Sequence, residues 1–375
     1  MKGRSALILP PCFLSILFLI SRQHPGSYNV MVALQSTSSP LTNLSTYEHA
    51  QKGVASSQEP SERERVMDEE NGEMRMAVAC LVFPTVVDPH RHAERVVAIS
   101  ETWGAPIRER GRHWDTFIIS REATHASDAT RTRTPPGNVV GDLETRVWAF
   151  EMILNEKGIV YTHIMLAETC TYVLPHNVLR VLAADSVSNR VFYGVPLETG
   201  NSRFASGGAG SVYSRASIQD LMDRGWSECK AQAKTLPWDL GLAKCLADIG
   251  IHSAHAASEH GERRFHVYGP VREFRGDRDD WFVRYSANAD NGKELSVPLL
   301  DGLGCCAADS ITFHYVEPPE ARFLHKYSGD AAFRREIGRD VNRWPAVNGH
   351  GRRPSNEEGA IYDLLDKLLL PGMAR

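Results

Sequence analysis

The stretch YTHIMLAETCTYVLPHNVLRVLAA, at residues 161–184, combines a short apolar run, a polar turn and a helix-like segment. The apolar run ends at Glu168 and has the length and composition of a buried strand. Pro175 opens the helix-like segment, because its fixed φ and missing N–H suit the first turn of a helix. A strand that leads through a turn into a helix is typical of α/β proteins, whose ligands bind beyond the carboxyl ends of the strands. Glu168, Thr169 and Cys170 lie at such an end.

Two further strands and two helices are predicted in the sequence before this stretch. Apolar runs at residues 74–84 and 114–120 have the pattern of buried strands. A helix is predicted from about residue 91 to 102, and the spacing of apolar residues predicts an amphipathic helix over 143–154. Because strands alternate with helices, we expect an α/β fold with a mixed, mainly parallel sheet between helices.

The N-terminus carries a candidate membrane segment. An apolar run at residues 6–20 follows Lys2 and Arg4. As a helix it would be about 22 Å long, which is shorter than the roughly 30 Å hydrocarbon core, so a cleaved signal peptide and a retained anchor both remain open. The lack of a small-x-small cleavage site after the run favours an anchor. The preceding positive charges then predict a single-pass type II protein of the Golgi or endoplasmic reticulum membrane, with its bulk in the lumen.

The segments on either side of the predicted folded domain differ in composition. Residues 21–73 are rich in Ser, Thr, Gln, Glu and Pro, which predicts a flexible stem, and Asn43 begins an Asn-x-Ser glycosylation sequon. Near the C-terminus, AIYDLLDKLLLP at residues 360–371 is an apolar helical stretch that either docks on the domain or binds a partner, and docking is favoured. The predicted organisation is a cytosolic tail (1–5), a signal anchor (6–20), a luminal stem (21–73), a folded domain (74–327) and a C-terminal extension (328–375).

Charge and cysteine content narrow the classes of partner and compartment. A formal net charge of -4 gives no electrostatic reason to expect nucleic-acid binding. Six of the seven cysteines lie outside the apolar N-terminal run, and in an oxidising lumen they could form three disulfides.

Four segments in order carry a family resemblance. They are LAETCTYVLPHNVLRVL (166–182), FASGGAGSVYSRASI (204–218), PWDLGLAKCLADIGI (237–251) and GCCAADSITFHYV (304–316). Together they resemble the core 1 β1,3-galactosyltransferase and Fringe-like β1,3-glycosyltransferase family, whose members carry KADDDTYV, SGGAGYVLS, EDLALGRC and GCC followed by SFHYV. The resemblance covers about two thirds of the chain. It implies a nucleotide-sugar transferase fold of the A type and an inverting β1,3-glycosyltransferase.

The first and last of these segments suggest a metal and nucleotide site. The departure of a diphosphate builds negative charge, which a divalent cation stabilises. The family's Asp-x-Asp corresponds to Glu168, Thr169 and Cys170, and the resemblance implies that Glu168, Cys170 and His314 hold Mn²⁺ while Glu168 and Thr169 contact the nucleotide. A thiolate suits Zn²⁺ better than Mn²⁺. Cys170 is alternatively a disulfide partner, and a lone histidine such as His314 is alternatively structural.

The two middle segments suggest the sugar-binding loop and the base. Gly207 and Gly208 permit close approach to a ligand, and the resemblance places their loop beside the donor and acceptor sugars; the alternative is a tight turn. Asp239 corresponds to a family acid and is the candidate base for the acceptor hydroxyl. Its alternative role is a helix N-cap. Trp238 occupies the position of a family glutamate.

The remaining matches concern cysteines and an unassigned pair. The resemblance implies that Cys229 and Cys245 are bridged. Cys305 and Cys306 form either a vicinal bond or separate bonds elsewhere, since adjacent cysteines do not easily meet ordinary disulfide geometry. The pair at residues 265–266 resembles a family Phe-His whose role stays open.

Three functions follow as hypotheses. The first is transfer of galactose from UDP-galactose to O-3 of peptide-linked N-acetylgalactosamine on a glycoprotein, in core 1 O-glycan synthesis, with a homodimer as a possible state. The second is a catalytically impaired homologue that acts as a chaperone or binding protein for a related transferase, because the metal motif is altered. The third is a sugar-binding or structural luminal protein that shares only the fold.

Overall fold

The computed structural model describes residues 76–85, 89–109, 111–121, 130–183, 189–200, 202–254, 256–289, 298–337 and 358–370. The expected tail, anchor and stem and the sequon at Asn43 lie outside the described residues. Within these ranges, no helix has both the length and the apolar character needed to cross a bilayer.

The described part of the chain contains thirteen short strands and eleven α-helices. The strands are β1 Met76–Phe83, β2 Ile107–Glu109, β3 Arg112–Ile119, β4 Arg131–Arg133, β5 His163–Glu168, β6 Tyr172–Val173, β7 Phe192–Gly194, β8 Pro196–Thr199, β9 Ser202–Ala205, β10 Ser211–Ser214, β11 Ser253–Ala254, β12 Phe265–His266 and β13 Thr312–Phe313. The helices are α1 Pro89–Glu101, α2 Asp142–Leu154, α3 Pro175–Leu182, α4 Arg215–Asp220, α5 Trp226–Ala233, α6 Trp238–Asp248, α7 Pro270–Arg275, α8 Asp280–Ala289, α9 Pro318–Gly329, α10 Ala331–Ile337 and α11 Glu358–Leu369.

The main sheet has the order β11-β7-β10-β5-β1-β3-β2, with β4 paired to β3. Strand β1 runs parallel to both β3 and β5, and the pairs β3–β4 and β7–β11 are also parallel. The other three pairings, β5–β10, β7–β10 and β2–β3, are antiparallel. The expected α/β fold with a mixed, mainly parallel sheet is therefore confirmed.

The central position of β1 explains why its apolar run predicts a strand. It lies between two parallel neighbours and is buried over its whole length. A strand covered on both faces needs apolar residues at every position rather than at alternate ones. The three predicted strands and three predicted helices all form, with bounds that differ from the expectations by about two residues, as is usual where elements begin and end.

A second, three-stranded sheet has the order β12-β13-β6. Strand β13 is antiparallel to β6, which follows β5 after a tight turn, and parallel to β12. This small sheet therefore carries a segment from the end of the domain back to the carboxyl end of β5. The unassigned Phe-His pair forms β12: the His266 ring stacks on Phe313 at 4.4 Å, and its Nε2 lies 3.0 Å from the Ser310 hydroxyl.

Two disulfides form among the described residues. Cys229 and Cys245 join α5 to α6 with a Cα–Cα distance of 5.4 Å, and Cys305 bonds to its neighbour Cys306. The bridge implied by the resemblance is thus present, and the open question about the adjacent pair is settled as a vicinal bond.

The third disulfide that six cysteines would allow does not form, and the reading of Cys170 as a disulfide partner is wrong. Neither Cys80 nor Cys170 takes part in a disulfide among the described residues, and both side chains are buried. Phe83 pairs with Glu168 across the sheet, so Cys80 lies three residues back along β1. Those three residues span about 10 Å along the strand, and Cys170 lies beyond Glu168. The Cα atoms of Cys80 and Cys170 are therefore farther apart than the about 7 Å that a disulfide allows.

The C-terminal helix α11 docks on the domain. Its residues Leu364, Leu365 and Leu368 are buried, and the Tyr327 hydroxyl of α9 donates a 2.6 Å hydrogen bond to the carboxylate of Asp366. The prediction that this stretch docks on the domain is confirmed.

Candidate functional site

The Glu-Thr-Cys triplet lies at the carboxyl end of β5, beside the end of β1. Phe83 is the register partner of Glu168, and the Thr169 N–H donates to the Phe83 carbonyl at 3.0 Å. The chain turns at once, because the Thr171 N–H donates back to the Glu168 carbonyl at 2.9 Å. The triplet therefore occupies the edge of the sheet at which α/β proteins bind ligands.

The small sheet brings His314 to this turn. The Val316 N–H donates to the Cys170 carbonyl at 3.0 Å, so the segment after β13 is hydrogen-bonded directly to the triplet. As a result, His314 Nε2 lies 3.2 Å from Cys170 Sγ and 3.9 Å from Glu168 Oε2. The three donor atoms lie within 4.8 Å of one another, and all three residues are buried.

The glycine-rich loop is wedged between two aromatic rings. A Cβ atom added to Gly208 would lie 2.1 Å from Cε1 of His314, and one added to Gly207 would lie 2.3 Å from Cζ2 of Trp238. The Thr171 hydroxyl donates to the Gly208 carbonyl at 2.8 Å, which fixes the loop to the turn after β5. Both glycines are therefore required by close packing, and the loop closes one side of the cluster.

Asp239 faces the same loop from the first turn of α6. Its Oδ2 accepts a hydrogen bond from the Gly207 N–H at 3.1 Å, and its Oδ1 accepts one from the Leu240 N–H at 2.9 Å. The N-cap of α6 is Pro237, so the reading of Asp239 as the N-cap is wrong. Backbone donors hold its carboxylate, and the residue as a whole is partly buried, so Asp239 lies at the border of the site.

Arg146 is a site residue that the sequence interpretation missed. Its Nη2 lies 4.0 Å from Glu168 Oε1, and its guanidinium stacks over the Trp238 ring at 3.8 Å and the Phe83 ring at 4.5 Å. The residue is only 4% exposed. It contributes a buried positive charge next to Glu168, and it packs on the tryptophan that replaces the family glutamate.

A signal for Arg146 was present in the sequence. Helix α2 buries Leu143, Val147 and Phe150, which repeat at helical spacing, and Arg146 falls on the same face. An arginine is almost never fully buried unless it has a partner. A charged residue on the predicted buried face of a helix therefore indicated an acid nearby.

Burial dominates the electrostatics of the cluster. Removal from water raises the pKa of Glu168 to about 7, although the Arg146 charge opposes the shift. Burial also raises the pKa of Asp239, against the opposing hydrogen bonds from Gly207 and Leu240. Burial, with the charge of Arg95, lowers the pKa of His314 to about 3, so the imidazole is neutral at physiological pH and offers a lone pair.

Thr169 lines a small cavity beside the turn that follows β5. Its hydroxyl is 3.4 Å from that of Thr85, and it lines this cavity together with Arg95, Trp103 and Tyr172. Its contact with a nucleotide stays a prediction. The structure brings the other sequence-predicted site residues together, namely Glu168, Cys170, Gly207, Gly208, Asp239 and His314.

The donor set of Glu168, Cys170 and His314 can hold a divalent cation. A carboxylate oxygen, a thiol sulfur and a neutral imidazole nitrogen lie within 4.8 Å of one another. A thiolate is a soft ligand, so this set fits a cation of borderline softness and fits hard Mn²⁺ poorly.

Sequence comparison finds similar proteins of known activity. No protein-family model matches the chain. Glycoprotein-N-acetylgalactosamine 3-beta-galactosyltransferase 1 of Xenopus laevis is 22% identical over 166 residues, which is 43% of this chain and 43% of that protein. Beta-1,3-glucosyltransferase of Mus musculus is 24% identical over 178 residues, 46% of this chain and 34% of that protein. The matches span less than half the length of these curated relatives.

Solved structures give more remote likenesses. Galactosyltransferase LgtC, in complex with donor and acceptor sugar analogs, has a TM-score of 0.34 at 9% identity, over 65% of this chain and 88% of that one. Mouse xyloside xylosyltransferase 1 in its apo form has a TM-score of 0.31 at 9% identity, over 64% of this chain and 98% of that one. By its sequence, with the mixed α/β sheet in agreement, the chain is related to the β1,3-glycosyltransferases, as its four motifs indicated.

Proposed function

We propose that this protein is an inverting β1,3-glycosyltransferase that transfers galactose from UDP-galactose to O-3 of peptide-linked N-acetylgalactosamine. The observation that supports it best is the convergence of Glu168, Asp239 and His314, from three separate elements, around one glycine loop. The frog and mouse relatives, a 3-beta-galactosyltransferase and a beta-1,3-glucosyltransferase by name, agree with this reaction class.

Asp239 is the proposed catalytic base. It would take the proton of the acceptor O-3 hydroxyl while that oxygen forms a bond to C1 of galactose. The bond from C1 to the β-phosphate oxygen breaks, and UDP leaves with the electron pair from the opposite face, which inverts the anomeric carbon. The two backbone donors hold the carboxylate in place, and its raised pKa makes it a stronger base than an exposed aspartate.

The cluster beside the loop is the proposed site of the donor diphosphate. A divalent cation held by Glu168, Cys170 and His314 would neutralise the charge that develops on the leaving group. The family resemblance implies Mn²⁺ in this role, while the thiol favours Zn²⁺. Gly207 and Gly208 would allow the backbone to approach the sugars closely.

The cellular setting belongs to the same proposal. A type II anchor at residues 6–20 would hold the domain in the lumen of the Golgi or endoplasmic reticulum, where glycoprotein acceptors pass. Homodimer formation stays a prediction.

The test is a transfer assay on the full chain with UDP-galactose and an N-acetylgalactosaminyl peptide. Replacing Asp239 with asparagine (Asp239→Asn) removes the base and is expected to lower kcat by about 10²- to 10⁴-fold. The matched control is Asp248→Asn at the other end of α6, where the carboxylate is 46% exposed and pairs with Lys244. Equal activity of the Asp239 variant and the unchanged protein contradicts the assignment.

A second candidate is a catalytically impaired homologue that binds or chaperones a related transferase. It is favoured by Cys170 at the position of a family acid and by Trp238 at the position of another. Under this reading the full chain neither transfers nor hydrolyses UDP-sugars with any divalent cation, yet it co-purifies with an active transferase. Transfer above the rate of the Asp239→Asn variant decides against it.

A further inference from the structure

The three-residue cluster differs in chemistry from a hard-cation site. Mn²⁺ and Mg²⁺ are normally held by carboxylate, carbonyl and water oxygens. Here one oxygen, one sulfur and one nitrogen converge, from Glu168, Cys170 and His314. Cysteine, histidine and acidic side chains are the residue types that bind zinc in proteins.

The separations between these atoms are close to those of a zinc site. Zinc lies about 2.3 Å from sulfur and about 2.0 to 2.2 Å from nitrogen or oxygen, so tetrahedral ligand atoms stand about 3.3 to 3.6 Å apart. The observed 3.2 Å between Cys170 Sγ and His314 Nε2, and 3.9 Å between His314 Nε2 and Glu168 Oε2, lie on either side of that range. The third separation, between Cys170 Sγ and the Glu168 carboxylate, is within 4.8 Å, so side-chain shifts of up to about 1 Å would complete the geometry.

The surrounding structure holds the three side chains in this arrangement. The hydrogen bond from Val316 to Cys170 ties the histidine segment to the cysteine turn, and Gly208 packs against the His314 ring. Arg146 lies next to Oε1 of Glu168, which leaves Oε2 turned towards the histidine. Partners that orient ligands in this way commonly strengthen metal binding about 10- to 100-fold.

We infer that Glu168, Cys170 and His314 form a zinc site that selects Zn²⁺ over Mn²⁺ and leaves a fourth coordination position open. The zinc selectivity stands on the donor atoms and their geometry. The fourth ligand, a diphosphate oxygen of the donor, rests on the proposed function. Binding proceeds with loss of the Cys170 thiol proton to solvent, because the thiolate is the ligand.

The experiment measures metal binding directly on the full chain. Chelator-treated protein is equilibrated with equimolar Zn²⁺ and Mn²⁺, and bound metal is quantified by mass spectrometry. We expect about one zinc per chain and a Kd for Zn²⁺ at least about 100-fold below that for Mn²⁺. Substitution with Co²⁺ should produce a sulfur-to-metal charge-transfer band, which reports the thiolate ligand without any activity assay.

Two variants and one control locate the site. Cys170→Ser should weaken zinc binding at least about tenfold and abolish the charge-transfer band, and Cys170→Asp should shift the preference towards Mn²⁺. Cys80→Ala removes the other free buried thiol and should change neither property. Circular dichroism confirms that each variant is folded, and His314→Gln supplies an independent ligand loss if a Cys170 variant does not fold.

Comparable affinity for the two metals, or unchanged zinc binding by the folded Cys170→Ser protein, overturns the inference. Failure of the proposed function gives a different result. Stoichiometric zinc with the thiolate band but no sugar transfer leaves the zinc site standing and defeats the transferase. Transfer that is supported by Mn²⁺ in zinc-free protein defeats the zinc site and leaves the transferase.

Discussion

At the residue scale, the site depends on charges that lie almost out of water. Glu168 Oε1 and Arg146 Nη2 form a long ion pair at 4.0 Å, and the two side chains are 7% and 5% exposed. Removing a carboxylate from water disfavours its charged form, and here this effect exceeds the stabilisation by the arginine, so the pKa of Glu168 rises to about 7. The carboxylate therefore titrates near physiological pH.

This shift predicts a pH dependence of stability. The pKa of Glu168 is higher in the folded protein than its ordinary value of 4.5, so its contribution to stability is complete below about pH 4.5 and is lost as the pH rises through about 7. The loss is about 3 kcal/mol at most, from 1.36 kcal/mol per pKa unit. Glu168→Gln should flatten the fall of the unfolding free energy between pH 5 and 8, measured by urea denaturation of chelator-treated protein.

The comparison of variant with parent isolates Glu168 from other shifted groups. Buried Glu320, with a pKa raised to about 8, adds a slope of the same sign to both proteins. His314, with its pKa lowered to about 3, adds a slope of the opposite sign at lower pH to both. Identical pH profiles for the two proteins would show that Glu168 is already ionised throughout.

At the scale of elements, the site is assembled by short pieces rather than by long ones. The two-residue strands β6 and β13 pair with each other, and the glycine loop before β10 fits between the rings of His314 and Trp238. Helix α6, fixed to α5 by the disulfide of Cys229 and Cys245, presents Asp239 to that loop. A small change in any of these contacts is expected to displace a candidate site residue.

The loop yields a direct test. Gly208→Ala places a methyl group 2.1 Å from the His314 ring, so the ring must move. We expect a loss of about 1 to 3 kcal/mol of stability, as for other overpacked sites, together with loss of metal binding at His314. Thermal denaturation and metal titration measure the two effects.

Gly137→Ala is the matched control, because an added Cβ there meets nothing within 4 Å and the backbone is not in the left-handed region. It should leave both stability and metal binding unchanged. A Gly208 variant that behaves like this control would show that the loop moves away from His314 at little cost.

At the scale of the whole molecule, the last helix completes the fold. Helix α11 contacts α7 and α9, and Lys367 bonds to Glu262 and to the Leu303 carbonyl. It covers apolar surface close to the vicinal disulfide segment, and Leu364 and Leu365 are fully buried. The C-terminal segment is thus a structural part of the domain.

Truncating a single leucine measures this contribution. Leu365→Ala should reduce the unfolding free energy by about 2 to 5 kcal/mol, through lost burial and the cavity left behind. Val140→Ala is the control, because that side chain is 72% exposed and its loss should change little. Urea denaturation of both variants gives the values, and equal midpoints would mean that α11 detaches without consequence.

Much of the fold and part of the site were predictable from the sequence. A strand buried on both faces needs an unbroken apolar run, and a helix needs apolar residues at helical spacing, so the strands at residues 76–83 and 163–168 and the helix at 142–154 follow from local patterns. The position of Glu168 at a strand end follows for the same reason. Arg146 was equally readable, as a charge on a buried helical face, and was missed.

The sequence by itself determined the strands, the helices and the residue types available for chemistry, because short-range patterns encode burial and backbone hydrogen bonding. Only the tertiary structure decided which distant groups meet. It placed His314 against Cys170 across 144 residues, left Cys80 and Cys170 without a disulfide between them, and made Pro237 rather than Asp239 the helix cap. Such contacts depend on strand pairing and packing of the whole chain, and no local pattern specifies them.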